Sequence, residues 1–406
     1  MIVSGPILAP AVPRAQSLDV GRGMAAVLVV LFHGLLVFRV NGVDNPHRLP
    51  MDPADPWLLL QHVLLGLANG PAYVTFFFVL SGTVLAISLD RDPPDHAGAV
   101  VGYLIKRAFR LYPLLVFTAA AAALLQRDYF TLLSYPQATS WFNDGYKIEQ
   151  ANLPAEFVAN ATGRSATLNG PAWSIKVELL ASALFPLLYW LSLTAGRIAI
   201  TAPLLLVAMF LAPGESERWH HMNVFLFCFF AGALVPRWGW QVVSRLRQTH
   251  RWPRTAILAI LMLVFLFSRR VLAPAELAPP VAVVLESLAA AVGVAMLLYG
   301  RDRAFFHARP IQLLARLSFG VYLLHVVVLS VLGHAVLPFL PAQLGAAEAL
   351  VAGLLLTLAT LCVTLFIAWL LHGALEHPMQ RLGRNLARRM TGSSGRLVVK
   401  PARLRR

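Results

Sequence analysis

An arginine and a histidine, Arg22 and His33, lie eleven residues apart in the first long apolar segment of the chain. Eleven residues make almost three whole turns of an α-helix, so both side chains project from one face, about 16 Å apart along the axis. This spacing sets the arginine at one membrane surface and the histidine near the middle of a hydrocarbon core about 30 Å thick. Imidazole can accept a proton from a hydroxyl group, and guanidinium can hold phosphate oxygens. The pattern predicts a general base at His33, with an anion-binding arginine at a distance from it.

A second basic group, KRAFRLYP, occupies residues 106–113. Arg107 and Arg110 are three residues apart, so they share a helix face and could grip phosphate oxygens together. The alternative is a pair of arginines that only fixes the orientation of a membrane helix. Arg22 is expected at the same membrane surface, and a cluster of three guanidinium groups favours an entrance for a phosphate-bearing ligand.

A carboxylate interrupts the apolar segment AWSIKVELLASALFP. Ser174, Glu178 and Ser182 follow a spacing of four, which gives this helix one polar stripe. Glu178 is predicted about two turns inside the outer membrane surface, with Trp173 and Ser174 lining a cavity beside it. A buried carboxylate needs a partner, and we expect a histidine or an arginine on another helix. The residue either takes part in the chemistry or locks helices together.

A second intramembrane histidine lies in RLSFGVYLLHVVVL, where Ser318, Tyr322 and His325 share one face. A lone histidine at this depth often only hydrogen-bonds to a neighbouring helix. Two histidines at matching depth, His33 and His325, instead indicate one shared central cavity. We expect this cavity to run from the arginines past both histidines and Tyr322 to the outer surface near Glu178.

The elements that must position these groups are membrane helices. The chain has 406 residues, 58% hydrophobic and 13% charged, with a mean hydropathy of +0.67. Such a composition excludes a soluble domain and predicts an all-α, polytopic integral membrane protein. About ten apolar runs have spanning or near-spanning length, at 24–40, 71–89, 111–125, 172–194, 199–212, 222–236, 254–272, 281–299, 317–337 and 348–371. Residues 57–68 form an additional interfacial candidate.

An even number of spans places both termini on one side of the membrane. Assigning the N-terminus to the cytoplasm puts most of the 34 lysines and arginines inside, as the positive-inside rule requires. The net charge of +15 then needs no nucleic acid to explain it. We expect a membrane domain over residues 1–383 and a basic tail over 384–406. The Arg-rich stretch from His377 to Arg406 is predicted to lie disordered against anionic lipid headgroups, and the alternative is that it is a docking element.

Two further features bear on binding. The longest outside loop, Gln126–Gly170, is polar and aromatic, which is typical either of a lid or binding surface or of an interfacial aromatic belt. The two cysteines, Cys228 and Cys362, lie within apolar runs and have no metal-ligand spacing, so no metal site is predicted.

The order of these motifs resembles the acyltransferase 3 family of bacterial integral-membrane O-acyltransferases. The matching segments span nearly the whole chain: LDVGRGMAAVLVVLFH (18–33), YVTFFFVLSGTVLAIS (73–88), KRAFRLYP (106–113), PAWSIKVELL (171–180), RLSFGVYLLH (316–325) and EHPMQRLG (376–383). The departures from the family pattern are Val20-Gly21, where Gly-Leu is usual, and Lys176, where an uncharged residue is usual.

The resemblance implies transfer of an acyl group, most often acetyl from acetyl-CoA or another acyl-CoA, to a hydroxyl of a glycan or glycosylated molecule. It implies a multi-pass protein of the bacterial cytoplasmic membrane, with His33 as the essential histidine and Arg107 and Arg110 as the family's arginine pair. With Glu178 as a second catalytic candidate and Arg22 at the donor site, the partners are acyl-CoA, a carbohydrate acceptor and the bilayer. A transporter or flippase with a His/Glu/Arg pathway is the alternative of another class.

Overall fold

The structure, a computed structural model, describes residues 15–49, 53–129, 134–145, 148–210, 217–272, 278–300 and 304–390. Within these ranges the chain is helical and has isolated β-bridges but no strand. The α-helices are α1 (Ala15–Leu35), α2 (Pro56–Leu67), α3 (Gly70–Arg91), α4 (Ala97–Asp128), α5 (Ser140–Asn143), α6 (Leu153–Ala161), α7 (Ala172–Leu191), α8 (Ala195–Phe210), α9 (Glu217–Gln248), α10 (Arg251–Leu272), α11 (Ala278–Tyr299), α12 (Arg309–Val336), α13 (Ala346–Leu371) and α14 (His377–Met390).

The predicted all-α membrane architecture is confirmed. In the described part of the chain, nine helical segments are long and apolar enough to cross a membrane. Every predicted apolar run corresponds to a helix, but the run at 199–212 is α8, whose sixteen residues make it a shorter apolar helix. The interfacial candidate at 57–68 is α2, which is capped at its start by Asp55 accepting from the N–H groups of Trp57 and Leu58.

Helix α1 lies in the core of the bundle and contacts α3, α11, α12 and α13. Its predicted run continued to residue 40, but the helix ends at Leu35. Beyond it the chain turns through Asn41, Gly42 and Asn45, whose positive φ angles of 49°, 73° and 50° no helix allows. His33 therefore lies in the last turn of α1, and the prediction of an apolar helix that continues to residue 40 is wrong.

Close packing of small residues holds α3 against α9. A Cβ atom on Gly82 would overlap the carbonyl group of Phe229, and one on Gly232 would overlap that of Val79. The Thr83 hydroxyl donates to the carbonyl oxygen of Gly232 at 3.0 Å. Backbone-to-backbone contact of this kind is how membrane helices gain packing energy in the absence of a hydrophobic driving force.

Two loop segments cover the end of the bundle where α1 ends. Phe38 and Ala138 form an antiparallel bridge between them. The Thr139 N–H donates to the carbonyl oxygen of Val37 at 2.8 Å, and its hydroxyl donates to that of Leu36 at 2.6 Å. We call residues 36–49 and 134–145 the loop cover. Its backbone pairing fixes α5 directly above the last turn of α1.

The basic C-terminal region is helical as far as Met390. After α13 one π-helical turn, His372–Glu376, leads into α14. Gly383 packs against Phe109, where a Cβ atom would lie 2.5 Å from the phenylalanine Cβ. The prediction of disorder from His377 is wrong for residues 377–390, because small residues let α14 pack along α4. Residues 391–406 lie outside the described ranges.

Candidate active site

A cavity of about 530 Å³ opens into the bundle at the end where α1 begins and α3 ends. Its apolar wall comes mainly from α3, including Phe77 and Phe78. Its charged lining consists of five cationic and three anionic side chains: Arg22, Arg91, Lys106, Arg107 and Arg110, with Asp19, Asp92 and Glu178. The three arginines predicted at an entrance are thus brought together by α1 and α4.

An ion pair joins α4 to α7 in the wall of this cavity. The Arg107 guanidinium donates to Glu178 Oε1 at 2.6 Å and, through Nε, to the Ser182 hydroxyl at 3.0 Å. Ser81 of α3 also donates to Glu178, at 3.0 Å. Both charged side chains are largely buried, with 12% and 16% exposure. The partner expected for Glu178 is therefore Arg107, and the predicted separation of Glu178 from the arginines is wrong, since the bond places both at one depth.

Three other cationic side chains of the cavity differ in whether they form an ion pair with a carboxylate. Arg22 donates to Asp19 at 3.0 Å, three residues earlier on α1. Lys106 donates to Asp92 at 3.1 Å. Within the described residues Arg110 makes no ion pair and lies 6.0 Å from the ring centre of Phe319. Of the predicted arginine pair, one side chain is thus bound within the protein and the other is open to a ligand.

Tyr322 lies at the inner end of the cavity. Its hydroxyl donates to the Ser174 Oγ at 2.8 Å, and Ser174 donates to the carbonyl oxygen of Pro171 at 2.9 Å. Both residues line the cavity, as does Ser318. The Tyr322 ring lies 5.2 Å from Phe77 on the cavity side and 5.9 Å from His325 on the other. One aromatic side chain therefore separates the cavity from the histidines.

The two predicted histidines are in direct contact. His325 Nε2 lies 3.0 Å from His33 Nδ1, and the ring centres are 4.9 Å apart. His325 is fully buried, whereas His33 keeps some accessible surface. The pair is held together by the packing of α1 against α12.

The loop cover reaches His33 from the other side. Trp141 of α5 stacks on the His33 ring with a centre-to-centre distance of 5.3 Å and an angle of 29°. Phe32 meets the same ring edge-on at 5.4 Å. The sequence placed Trp141 in an aromatic loop but gave no signal that it contacts the histidine, since their separation of 108 residues carries no spacing information.

The prediction of one continuous cavity is wrong. His33, His325 and Trp173 are not among the residues that line the cavity. Trp173 packs against Phe78 and Phe225, at 6.1 and 5.4 Å between ring centres. Tyr322, which lines the cavity and contacts His325, lies between the arginines and the histidines, so the two groups occupy separate compartments in this structure.

Residues 15–373 match the family model described as an acyltransferase domain, Acyl_transf_3. The match covers α1 through α13 and every residue of the cavity and the histidine pair. The chain belongs to the acyltransferase 3 family. No curated protein and no solved structure matches it significantly. It is a membrane acyltransferase in the broad sense, with an acyl donor and an acceptor, and the transporter alternative is not supported by this family.

Proposed function

We propose that this acyltransferase moves an acyl group, most often acetyl, from acyl-CoA to a hydroxyl of a glycan or glycosylated molecule, with His33 as general base. The observation that carries the proposal is the division of the bundle into an arginine-lined cavity and a histidine pair, separated by one tyrosine. The first compartment suits a phosphorylated donor, and the second suits proton transfer.

The charge of the cavity supports a coenzyme A thioester as the donor. Coenzyme A carries a pyrophosphate and a further phosphate, and five cationic side chains outnumber three carboxylates in the lining. Guanidinium groups bind phosphate oxygens through short, charge-assisted hydrogen bonds. Arg110, whose guanidinium forms no ion pair within the described residues, is the first candidate to bind them. Arg22 and Arg107 can add contacts at the same mouth.

Proton transfer is what His33 would supply. An alcohol is a weak nucleophile, and a positioned imidazole contributes roughly 10²–10⁴-fold to such a reaction. His33 takes the proton of the acceptor hydroxyl as its oxygen bonds to the thioester carbonyl carbon. The tetrahedral intermediate then loses the carbon–sulfur bond, and the departing thiolate takes the proton from His33. The products are the acyl ester and free coenzyme A, and the histidine is regenerated.

The thioester must pass Tyr322 to reach His33. Arg22 and His33 are separated by eleven residues of α1, which is about 16 Å of helix rise, a gap that the thin pantetheine arm of coenzyme A would have to span. The Tyr322 ring is held at its hydroxyl end by Ser174. Rotation of this one side chain would join the compartments, so we expect donor binding to break the Tyr322–Ser174 bond. The acceptor would approach from the end of the bundle under the loop cover.

A direct test uses purified protein in proteoliposomes with radiolabelled acetyl-CoA and a cell-envelope glycan extract from a strain lacking the gene. We expect release of free coenzyme A and label in the glycan only when both substrates are present. Coenzyme A release without acceptor-dependent labelling, or no release with any envelope fraction, contradicts the proposal. Mass spectrometry of glycans from the deletion strain and its parent then names the acyl group and the sugar.

The base is tested by His33→Ala, with His334→Ala on α12 as the matched histidine control. We expect His33→Ala to lower kcat by about 10²–10⁴-fold while the KM for acetyl-CoA and the elution profile in detergent stay near those of wild type. His334→Ala should remain within about threefold. A folded His33→Ala protein within tenfold of wild-type activity overturns the assignment of His33 as the base.

A further inference from the structure

We propose that His325 is a positioning residue that fixes the ring of His33 with Nδ1 protonated, so that Nε2 of His33 is the nitrogen that takes the proton. This proposal rests on the proposed function of His33. It goes beyond that function in assigning Nε2 of His33 as the reacting nitrogen and His325, on another helix, as the side chain that selects it.

The first step concerns the tautomer of His325. Its Nδ1 lies 2.6 Å from the carbonyl oxygen of Tyr322, one turn earlier on α12. A carbonyl oxygen can only accept, so Nδ1 of His325 carries the hydrogen and donates it. A neutral imidazole has one N–H group, and Nε2 of His325 is therefore an acceptor with a lone pair. That lone pair faces His33.

The second step concerns His33. Its Nδ1 lies 3.0 Å from Nε2 of His325 and 2.9 Å from the carbonyl oxygen of Val29. Both neighbours are acceptors, so Nδ1 of His33 carries a hydrogen shared between them. Nε2 of His33 then holds the free lone pair, and within the described residues no group bonds to it. The ring keeps accessible surface, whereas His325 is fully buried.

The third step concerns the charge that forms during the reaction. When Nε2 of His33 takes a proton, the ring becomes an imidazolium and its Nδ1–H bond to His325 becomes charge-assisted, which strengthens such bonds about twofold. His325 cannot turn its acceptor away, because Tyr322 holds its opposite nitrogen. The interaction with His325 is thus stronger in the protonated state than in the resting state, which is the condition for accelerating a step.

The arrangement resembles the role of an acidic residue that orients a catalytic histidine by accepting from its Nδ1–H. Here the acceptor is a neutral imidazole. Loss of a partner that selects the tautomer allows His33 to present N–H to the substrate in place of a lone pair. Without His325, only the carbonyl oxygen of Val29, one turn earlier on the same helix, favours the tautomer of His33 that is protonated at Nδ1.

Glutamine and asparagine at position 325 form a matched pair of tests. The amide oxygen of glutamine can take the place of Nε2 and accept from His33, whereas asparagine is one bond shorter and can only replace Nδ1 beside Tyr322. We expect His325→Gln to keep kcat within about threefold of wild type. His325→Asn and His325→Leu should lower kcat by on the order of 10–100-fold, by analogy with the outer partners that orient metal-ligating histidines, with an unchanged KM for acetyl-CoA.

The matched control is His334, whose Nδ1 lies 2.8 Å from the carbonyl oxygen of Ser330, one turn earlier on α12, and whose ring packs against Tyr135 and Phe142 of the loop cover. His334→Asn and His334→Gln should not differ in kcat. Equal activity of His325→Asn and His325→Gln overturns the positioning role, as does a change confined to the KM for acetyl-CoA. The glutamine variant keeps the test decisive if the leucine variant does not fold.

The test of His33 as the base is independent of the test of His325 as its positioning residue. If His33→Ala keeps its activity, the proposed function of His33 fails whatever the result at position 325. If His33→Ala is inactive and all three variants of His325 match wild type, the proposed function stands and the positioning role is wrong. The assay uses the full-length protein with labelled acetyl-CoA and the same glycan extract.

Discussion

The arginine cavity and the histidine pair are built in opposite ways. In the cavity, charges from α1, α3, α4 and α7 are set against each other in ion pairs such as Arg107–Glu178. At the histidine pair there is no carboxylate partner within the described residues, and two imidazoles contact each other beneath aromatic side chains. The first region is rich in charged side chains, and in the second the two imidazoles are surrounded by aromatic and apolar side chains.

This contrast explains why Tyr322 lies between the two regions. A continuous water-filled passage would hydrate the imidazoles and screen the charges. A single aromatic ring separates the compartments, and its hydroxyl lies 2.8 Å from Ser174 Oγ and 3.4 Å from the carbonyl oxygen of Pro171. The predictions below test the contrast, in order of decreasing expected effect.

The largest effect is expected for Arg107→Leu. Removing one partner of a buried ion pair leaves an uncompensated charge and costs about 3–5 kcal/mol of stability. Adding Glu178→Gln removes that charge, so the double variant should regain most of its thermal stability in detergent. The KM for acetyl-CoA should be higher than that of wild type in both the single and the double variant.

Arg269 supplies the control for this prediction. It forms a two-bond ion pair with the buried Glu286 at 2.7 and 2.9 Å, between α10 and α11. Arg269→Leu should lower thermal stability comparably without changing the KM for acetyl-CoA. A donor KM that recovers fully in the Arg107→Leu, Glu178→Gln protein would show that Arg107 is purely structural.

A smaller effect is expected for Arg110→Ala. Because this guanidinium forms no ion pair within the described residues, its loss should change stability little. Loss of charged hydrogen bonds of about 1.5–3 kcal/mol should raise the KM for acetyl-CoA about tenfold or more. Arg197→Ala, at a surface site where the guanidinium stacks on Trp190, should leave the KM unchanged. An unchanged KM for acetyl-CoA in Arg110→Ala would contradict donor binding by Arg110 and would favour the alternative, in which this residue only fixes the orientation of its helix in the membrane.

Tyr322→Phe tests the separation itself. The variant keeps the ring but loses the hydroxyl bond to Ser174 at 2.8 Å, which contributes about 0.5–1.5 kcal/mol. If that bond must break before the thioester reaches His33, its loss should raise kcat/KM for acetyl-CoA by up to about tenfold. A lowered kcat/KM in a stable Tyr322→Phe protein would assign the hydroxyl a direct catalytic role instead.

The smallest effect concerns pH and the loop cover. Burial raises the pKa of Asp44, but hydrogen bonds from Ser140 and the nearby Arg39 outweigh it and hold the pKa below its ordinary value. The Asp44–Ser140 contact therefore stabilises the loop cover above the ordinary pKa of aspartate, and this contribution is lost as pH falls through the lowered pKa. We expect exchange of the Ser140 amide, corrected for its intrinsic rate, to increase by less than about fivefold from pH 6 to pH 3.

Asp44→Asn supplies the comparison, since it cannot titrate. Its corrected exchange at Ser140 should be the same at both pH values. An equal increase in wild type and Asp44→Asn would assign the opening to another group.

The helices and the polar faces of several of them could be predicted from local sequence. Apolar runs of spanning length predict helices because a helix satisfies its backbone hydrogen bonds within one segment of the chain, as a bilayer requires, and each predicted run is a helix. The spacings Ser174–Glu178–Ser182 and Ser318–Tyr322 predict shared faces because helix geometry fixes them. Glu178 and Ser182 indeed bind one arginine, and Ser318 and Tyr322 line one cavity.

Only the tertiary structure decided where along its helix each polar side chain lies and which side chain on another helix it contacts. Hydropathy cannot separate α1 from the apolar loop after it, so His33 was placed too early in its helix. The contacts Arg107–Glu178, His33–His325 and Trp141–His33 join residues 71, 292 and 108 positions apart. No periodicity extends across loops, and the packing of whole helices decides which polar faces meet. The sequence thus determined which residues could do chemistry, and the packing of α1 against α12 and of α4 against α7 decided which of them lie together.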